Sequence, residues 1–344
     1  MITFMNRVYD MSISIKDIAS LAGVSTATVS RVINSTGNVS PKTKARVEAV
    51  IARYGYVPNL VAKGLRTNLM PTVGIMVPDI LNEPYGLFVR TAQQLLLKHG
   101  IISTICNTND NPEITQEYVN ILKSQNVSGI IYVPDSNSEN IQFGNLPVVY
   151  IEHWPSHSLS PNSVVVCSDD INGGYIATKE LLEKGCRNIA IYMDSSGISS
   201  FKNRYLGYCK ALKEYGLKPK AGNTILVNPI HSTDVIRKTN KIIQNGFPFD
   251  GVFCTANRIT IGAMCALTIA GLIQSNSKYN KVKLVGYEDI RISSYGYFLV
   301  TTVAVQTENI ASTAVEELIN LLKGNPPTKQ EHTLPVHLIR RATT

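Results

Sequence analysis

The stretch IKDIASLAGVSTATVSRVIN, residues 15–34, decides the fold of the first part of this chain. Ser14 precedes it and Asp17 follows three residues later, which is the pattern of a capping box at a helix start. Gly23 is expected to end that helix, and a second helix follows within residues 25–34. The stretch therefore predicts two short helices joined by a tight turn, a helix-turn-helix.

A third helix is predicted after Ser40, which serves as its cap, with Pro41 at the first helical position. Together the three helices offer enough apolar residues at helical spacing for a small core. The positions expected to face inward are Ile15, Ile18, Leu21, Val29, Val32, Ile33, Val47, Val50 and Ile51.

The second helix leaves a small polar face outside, with Thr26 and Ala27 at its start and Arg31 one turn later. Small residues allow a helix to approach the major groove of DNA closely, and a guanidinium can donate two hydrogen bonds to guanine. Arg31 is therefore a candidate for base reading, although an arginine that contacts only phosphate or solvent would show the same pattern.

The charge distribution points the same way. Residues 1–71 carry nine Lys and Arg against three Asp and Glu, whereas the other 273 residues carry 24 against 22. Clustered basic residues on a nearly neutral body favour binding to a polyanion such as double-stranded DNA.

These residues resemble the headpiece of the LacI/GalR family of bacterial transcription repressors, and VSPKTKARV at 39–47, GYVPN at 55–59 and AKGLR at 62–66 continue the match. The resemblance implies base contacts from Thr26, Ala27 and Arg31. It implies phosphate contacts from Ser14, Lys16, Ser25, Asn34 and Ser40.

The resemblance also divides the first part of the chain. Residues 11–57 would be the helix-turn-helix domain, and residues 58–71 a hinge that folds on operator DNA. Leu65, with Ala62, would enter the minor groove there, where a bend offsets the cost of unstacking one base step. Residues 1–10 show no periodicity and are expected to be a dispensable extension.

After residue 71, apolar runs alternate with helical segments, which predicts an α/β fold with parallel sheets. Two blocks of similar build suggest two lobes with a cleft between them. The resemblance extends through this region, for example in TVGIMVPDI at 72–80 and KLVGYEDI at 283–290, and implies a periplasmic-binding-protein-like effector domain at 72–344. The implied amino lobe covers about 72–168 and 292–325, and the carboxyl lobe about 169–291 and 326–344.

Ligands in such folds bind beyond the carboxyl ends of the strands. Polar or aromatic residues at these positions are Tyr85, Asp169, Asn172, Arg204, Asn257 and Glu288. Amide, carboxylate and guanidinium groups beside an aromatic ring suit a polyhydroxylated ligand, so a sugar is the favoured effector. Each of these residues could instead be a helix cap or form a salt bridge between the lobes, and this alternative is favoured for Asp169. His153 and Trp154 could line the cleft mouth. Arg258 leaves a phosphorylated or carboxylated ligand open.

Other functions are less well supported. The sequence has no dinucleotide, P-loop, nucleophile-elbow or zinc-protease motif, and its cysteines and histidines lack metal-ligand spacing, so we expect no catalysis, cofactor or metal. A solute-binding protein or sugar-active enzyme of the same architecture is the alternative. The start lacks the apolar core of a signal peptide, so we expect a cytoplasmic protein. One helix reads only a few base pairs, so a homodimer on a pseudo-palindromic operator is expected, as repressor or activator.

Overall fold

A computed structural model describes residues 13–34, 37–54, 56, 70–136, 141–155, 158–228, 232–274, 280–294 and 299–344. The chain divides into two compact units, Met1–Asn68 and Leu69–Thr344. Residues 1–10 and the hinge residues Ala62 and Leu65 lie outside the described residues, so the expectations about them stay predictions.

The smaller unit contains the three predicted helices, α1 (Ile15–Ala22), α2 (Thr26–Asn34) and α3 (Pro41–Tyr54). The capping box at α1 is confirmed, because the Ser14 amide donates to Asp17 Oδ2 at 2.8 Å and the Asp17 amide donates to Ser14 Oγ at 3.3 Å. Gly23 ends α1 with φ 59°, a left-handed conformation that suits glycine.

The small core confirms most of the predicted inward positions, with Val29 and Val47 fully buried. The prediction for Leu21 is wrong, since this residue is 49% exposed. At about 100° per residue, the buried face of α1 is centred between Ile18 and Ala22, and Leu21 lies beyond its edge. Ala19 fills the inward place instead.

The larger unit alternates strands and helices as predicted. Its helices are α4 (Glu83–Lys98), α5 (Pro112–Ser124), α6 (Asp170–Glu183), α7 (Ser199–Glu214), α8 (Ser232–Gln244), α9 (Asn257–Ile269) and α10 (Thr307–Leu322). Its strands are β1 (Met70–Val77), β2 (Ile102–Asn107), β3 (Val127–Tyr132), β4 (Val148–Ile151), β5 (Ser163–Ser168), β6 (Ile189–Asp194), β7 (Thr224–Val227), β8 (Gly251–Cys254), β9 (Lys283–Tyr287), β10 (Thr301–Ala304), β11 (Glu331–Leu334) and β12 (His337–Ile339).

The strands described form two six-stranded sheets, one per lobe. The amino-lobe sheet has the order β11-β5-β4-β3-β1-β2, and the carboxyl-lobe sheet the order β12-β10-β9-β8-β6-β7. All pairs are parallel except β10 with β12, which is antiparallel. Helices α4 and α10 pack on the first sheet and α6 to α9 on the second, so each lobe has its own core.

Two predicted lobe boundaries, at residues 292 and 326, are wrong. Strand β10 pairs with β9 in the carboxyl lobe, and β11 pairs with β5 in the amino lobe. The chain therefore crosses between lobes after β5, after β10 and after β11. The resemblance implied these boundaries only approximately. Hydrophobic alternation could not correct them, because it identifies a strand but not the sheet that the strand joins.

Strands β2 and β7 are the outer strands of their sheets, and both expose large apolar side chains: Ile102 and Ile105 on β2, and Leu226 on β7. Among the helices that the structure describes, none combines the length and apolar character that a membrane span requires.

Candidate functional site

The outer face of α2 is available for binding. Thr26, Ala27 and Arg31 are all exposed, whereas Val29 on the same helix is fully buried. Because α2 has no large side chain at its start, its first turn can approach a groove closely, with the Arg31 guanidinium one turn further along.

The residues predicted to contact phosphates surround this face. Ser14, Lys16, Ser25 and Ser40 are exposed, and Asn34 is the last residue of α2. Ser25 Oγ accepts from the Thr28 amide at 3.2 Å, and Ser40 Oγ accepts from the Thr43 amide at 3.3 Å. These serines cap their helices as predicted, and the exposed backbone amides at both helix starts can attract anions. The contacts to DNA themselves stay predictions.

A cavity of about 240 Å³ lies where the strand ends of the two lobes face each other. Four of the six predicted ligand residues line it: Tyr85, Arg204, Asn257 and Glu288. Asp169 and Asn172 do not. Phe88 and Phe201 add aromatic surface, so the cavity combines apolar walls with a few polar groups, which is the usual character of a small-molecule site.

Arg204, on α7, is the central charged group of this cavity and is only 2% exposed. Its Nε donates to Asp170 Oδ1 at 2.8 Å, and its Nη1 donates to the Thr255 carbonyl at 2.6 Å. The guanidinium carbon lies 3.8 Å from the centre of the Tyr287 ring. These contacts fix the orientation of the guanidinium before any ligand binds.

The sequence singled out Asp169, but the buried carboxylate that pairs with Arg204 is its neighbour Asp170. Asp169 caps α6 by accepting from the Asn172 amide at 3.0 Å, so the cap interpretation is supported for it. Two adjacent aspartates at a helix start cannot be told apart by sequence pattern alone, because the choice depends on which one the first turn directs inward.

Two glutamates occupy equivalent places, each directly after a strand. Glu152 follows β4 with φ 64°, and Glu288 follows β9 with φ 67°. Non-glycine residues in this left-handed region are uncommon and are concentrated at functional sites. Burial raises the pKa of both carboxyls, that of Glu152 to about 8.

A hydrogen bond and an ion pair connect the two lobes beside the cavity. Asn257 Nδ2 donates to Glu288 Oε2 at 2.8 Å and to Asn82 Oδ1 of the amino lobe at 3.0 Å. Arg258 forms an ion pair with Asp79, so its charge is compensated by the opposite lobe. These contacts hold one interlobe angle.

The cleft mouth differs from its prediction in one respect. His153 lines the cavity, whereas Trp154 does not. The Trp154 amide instead donates to Ser199 Oγ of the carboxyl lobe at 2.9 Å, and its side chain is 38% exposed.

Sequence reasoning missed several polar residues that line the cavity. They are Asp79, Asn82, Asn109, Asp110, Glu152 and Asp194. All of them lie at or shortly after the end of a strand, so the rule that found Asn257 would also have found these residues if applied to every strand.

Comparison with known proteins agrees with this architecture. Residues 14–59 match the family described as bacterial regulatory proteins, lacI family, and residues 178–344 match the periplasmic binding protein-like domain. A transcriptional regulator of the helix-turn-helix type from Clostridium saccharobutylicum, RegA, is 33% identical over 97% of this chain and all of its own. The sucrose operon repressor of Pediococcus pentosaceus is 30% identical with the same coverage.

Among solved structures, the lac repressor dimer bound to operator and an anti-inducer superposes with a TM-score of 0.82 at 25% identity, covering 96% of this chain and 98% of that one. The three-helix unit, the two-lobed unit and the full-length similarity to RegA agree with one another. This chain therefore belongs to the lacI family of bacterial regulatory proteins.

Proposed function

We propose that this protein represses transcription by binding a pseudo-palindromic operator as a homodimer, and that a carbohydrate in the interlobe cavity controls its operator affinity. One observation carries the proposal: the same chain has an exposed polar face on α2 and a partly open cavity whose polar groups come from both lobes. A ligand that contacts both lobes favours one interlobe angle, and this is the differential affinity that allosteric control requires.

The homodimer is supported by the exposed edges of both sheets. Ile102, Ile105 and Leu226 are each more than two-fifths exposed on outer strands, where unprotected apolar side chains favour association. A second copy would cover them and would also supply the second helix-turn-helix that a palindrome needs.

Binding rather than catalysis is proposed as the activity, in the cytoplasm, where operator DNA is found. The relatives reported above are named as transcriptional regulators and repressors. A solute-binding protein would share the two-lobed unit, but it has no use for α1 to α3.

The base-reading role of Arg31 is tested by Arg31→Ala. We expect a loss of about 1 to 3 kcal/mol on specific operator and little change on random DNA, because a bidentate contact to guanine discriminates between sequences. Fluorescence anisotropy with both DNAs at one salt concentration measures this. The matched control is Arg53→Ala on α3, which should not reduce the ratio between specific and random binding. Equal losses on both DNAs for Arg31→Ala would show that Arg31 contacts only phosphate.

Allosteric control is tested with a sugar that binds the protein. This sugar is titrated into the protein alone and into the protein saturated with operator DNA. Saturating sugar should change the affinity for operator by some factor. We expect saturating operator to change the dissociation constant of the sugar by the same factor, since coupling between two binding sites is reciprocal. Coupling energies of this kind are typically about 1 to 3 kcal/mol. Equal sugar dissociation constants in the two titrations would contradict control by the cavity.

A further inference from the structure

The cavity is rich in acidic groups. Five carboxyls line it, from Asp79, Asp110, Glu152, Asp194 and Glu288, against two guanidiniums, from Arg204 and Arg258. Burial raises the pKa of Glu152 to about 8, so this carboxyl is largely uncharged at neutral pH, and the negative charge that an entering ligand meets comes from the other carboxyls.

Both guanidiniums already have carboxylate partners. Arg204 is already bound to the buried Asp170 and lies 3.9 Å from Glu288, and Arg258 is paired with Asp79. His153 adds no charge, because burial lowers the pKa of its imidazole to about 3. A phosphate or carboxylate would therefore share guanidiniums whose charge is already compensated, and it would also face the remaining carboxyls.

Hydrogen-bonding capacity, in contrast, is unused at the end of β4. His153 is 7% exposed, and its Nδ1 has no hydrogen-bond partner among the described residues. Both carboxyl oxygens of Glu152 beside it accept from Ser168, Oε1 from the hydroxyl at 3.0 Å and Oε2 from the amide at 3.4 Å, and each oxygen can accept a second hydrogen bond. A buried polar atom without a partner lowers the stability of the fold. A ligand hydroxyl could form a hydrogen bond with His153 Nδ1 or with the Glu152 carboxyl, since a hydroxyl both donates and accepts.

We propose that the cavity selects an uncharged, hydroxyl-rich ligand over its phosphorylated or carboxylated counterparts, with His153 and Glu152 each hydrogen-bonded to a ligand hydroxyl. This inference rests on the proposed function, which needs a carbohydrate but does not specify its charge. It also removes the sequence-based argument for an anionic ligand, because the Arg258 charge is compensated by Asp79.

The test uses matched pairs of probes: ribose and ribose 5-phosphate, glucose and glucose 6-phosphate, sucrose and sucrose 6-phosphate. Each is titrated into the full-length protein by calorimetry. We expect at least one neutral sugar to bind and its phosphate ester to bind at least tenfold more weakly. A phosphate ester that binds as tightly as its parent, or a panel in which no neutral sugar binds, would overturn the inference.

The variants test the two residues. For the neutral sugar that binds, His153→Ala should weaken affinity about tenfold, as expected for one lost hydrogen bond to a buried group, and His153→Asn should recover part of it. Glu152→Gln, which keeps a polar group of the same shape, should weaken affinity less than Glu152→Leu. Trp154→Phe is the control and should bind like the unmodified protein. Unchanged affinity in His153→Ala and Glu152→Leu would overturn the assignment.

Failure of this inference can be distinguished from failure of the proposed function. Operator affinity is measured with each probe in parallel. A phosphate ester that alters operator affinity would retain ligand control of DNA binding while overturning selection for an uncharged ligand.

Discussion

Arg204→Met is expected to lower the free energy of unfolding by about 3 to 5 kcal/mol, because it removes one partner of a buried ion pair and leaves the other without compensation. Asp170 is 3% exposed, and its Oδ1 accepts from both Arg204 Nε and the Tyr287 hydroxyl. Methionine fills a similar volume, so the loss would come from the charge and its hydrogen bonds rather than from a large cavity. Urea denaturation of the full-length protein measures it.

Two further variants make this prediction specific. Arg258→Met breaks the ion pair with Asp79. The side chains of Arg258 and Asp79 are 26% and 35% exposed, so this variant should lower the free energy of unfolding by less than about 1 kcal/mol. Adding Asp170→Asn to Arg204→Met removes the uncompensated charge while keeping an acceptor for Tyr287, and should recover most of the loss. Similar losses for Arg204→Met and Arg258→Met would contradict the central role of the buried pair.

Gly207→Ala is expected to destabilise the larger unit by more than about 3 kcal/mol, which exceeds the usual cost of overpacking a core. A Cβ at Gly207 on α7 would collide with the Ile171 carbonyl of α6, and one at Gly174 on α6 would collide with the Arg204 carbonyl. Backbone atoms cannot rotate away as side chains do, so the two helices would have to separate. Separation would also draw Arg204 away from Asp170.

The control for this prediction is Gly222→Ala. A Cβ at Gly222 would meet no atom within 4 Å, so this variant should unfold within about 0.5 kcal/mol of the unmodified protein. Thermal and urea denaturation compare the two. If Gly207→Ala were as stable as Gly222→Ala, the close approach of α6 and α7 would not be what positions Arg204.

The smaller unit could be predicted almost completely because its signals are local. Ser14, Asp17 and Gly23 mark the ends of α1 within one or two turns of the residues they affect. Even so, Leu21 was placed inward, because a helix of eight residues gives too few apolar positions to centre its buried face.

The cavity between the lobes could be predicted only in part. The rule that ligands bind beyond strand ends led to Arg204 and Asn257, which line this cavity, since the rule depends on strands that the sequence reveals. It could not choose between Asp169 and Asp170, because that choice depends on the first turn of α6. Glu152 has a different explanation: it lies directly after β4 as Glu288 lies directly after β9, so the same rule predicts it once the end of β4 is included.

Strands β11 and β12 give weak signals in the sequence. They have four and three residues, too short for a clear alternation of apolar and polar positions. Their pairing is also distant in sequence, since β11 lies beside β5. Such partners are fixed by the tertiary fold, which single-segment patterns do not contain.

The amide bond from Trp154 to Ser199 has a spectroscopic consequence. The sequence contains one tryptophan, and this residue bridges the lobes through its backbone while its indole remains partly in contact with water. Rotation of one lobe against the other would change the exposure of the indole to water and hence the wavelength of its emission maximum. The protein thus contains an intrinsic fluorophore beside a contact between its two lobes, and a rotation of the lobes could be followed in real time without any added label.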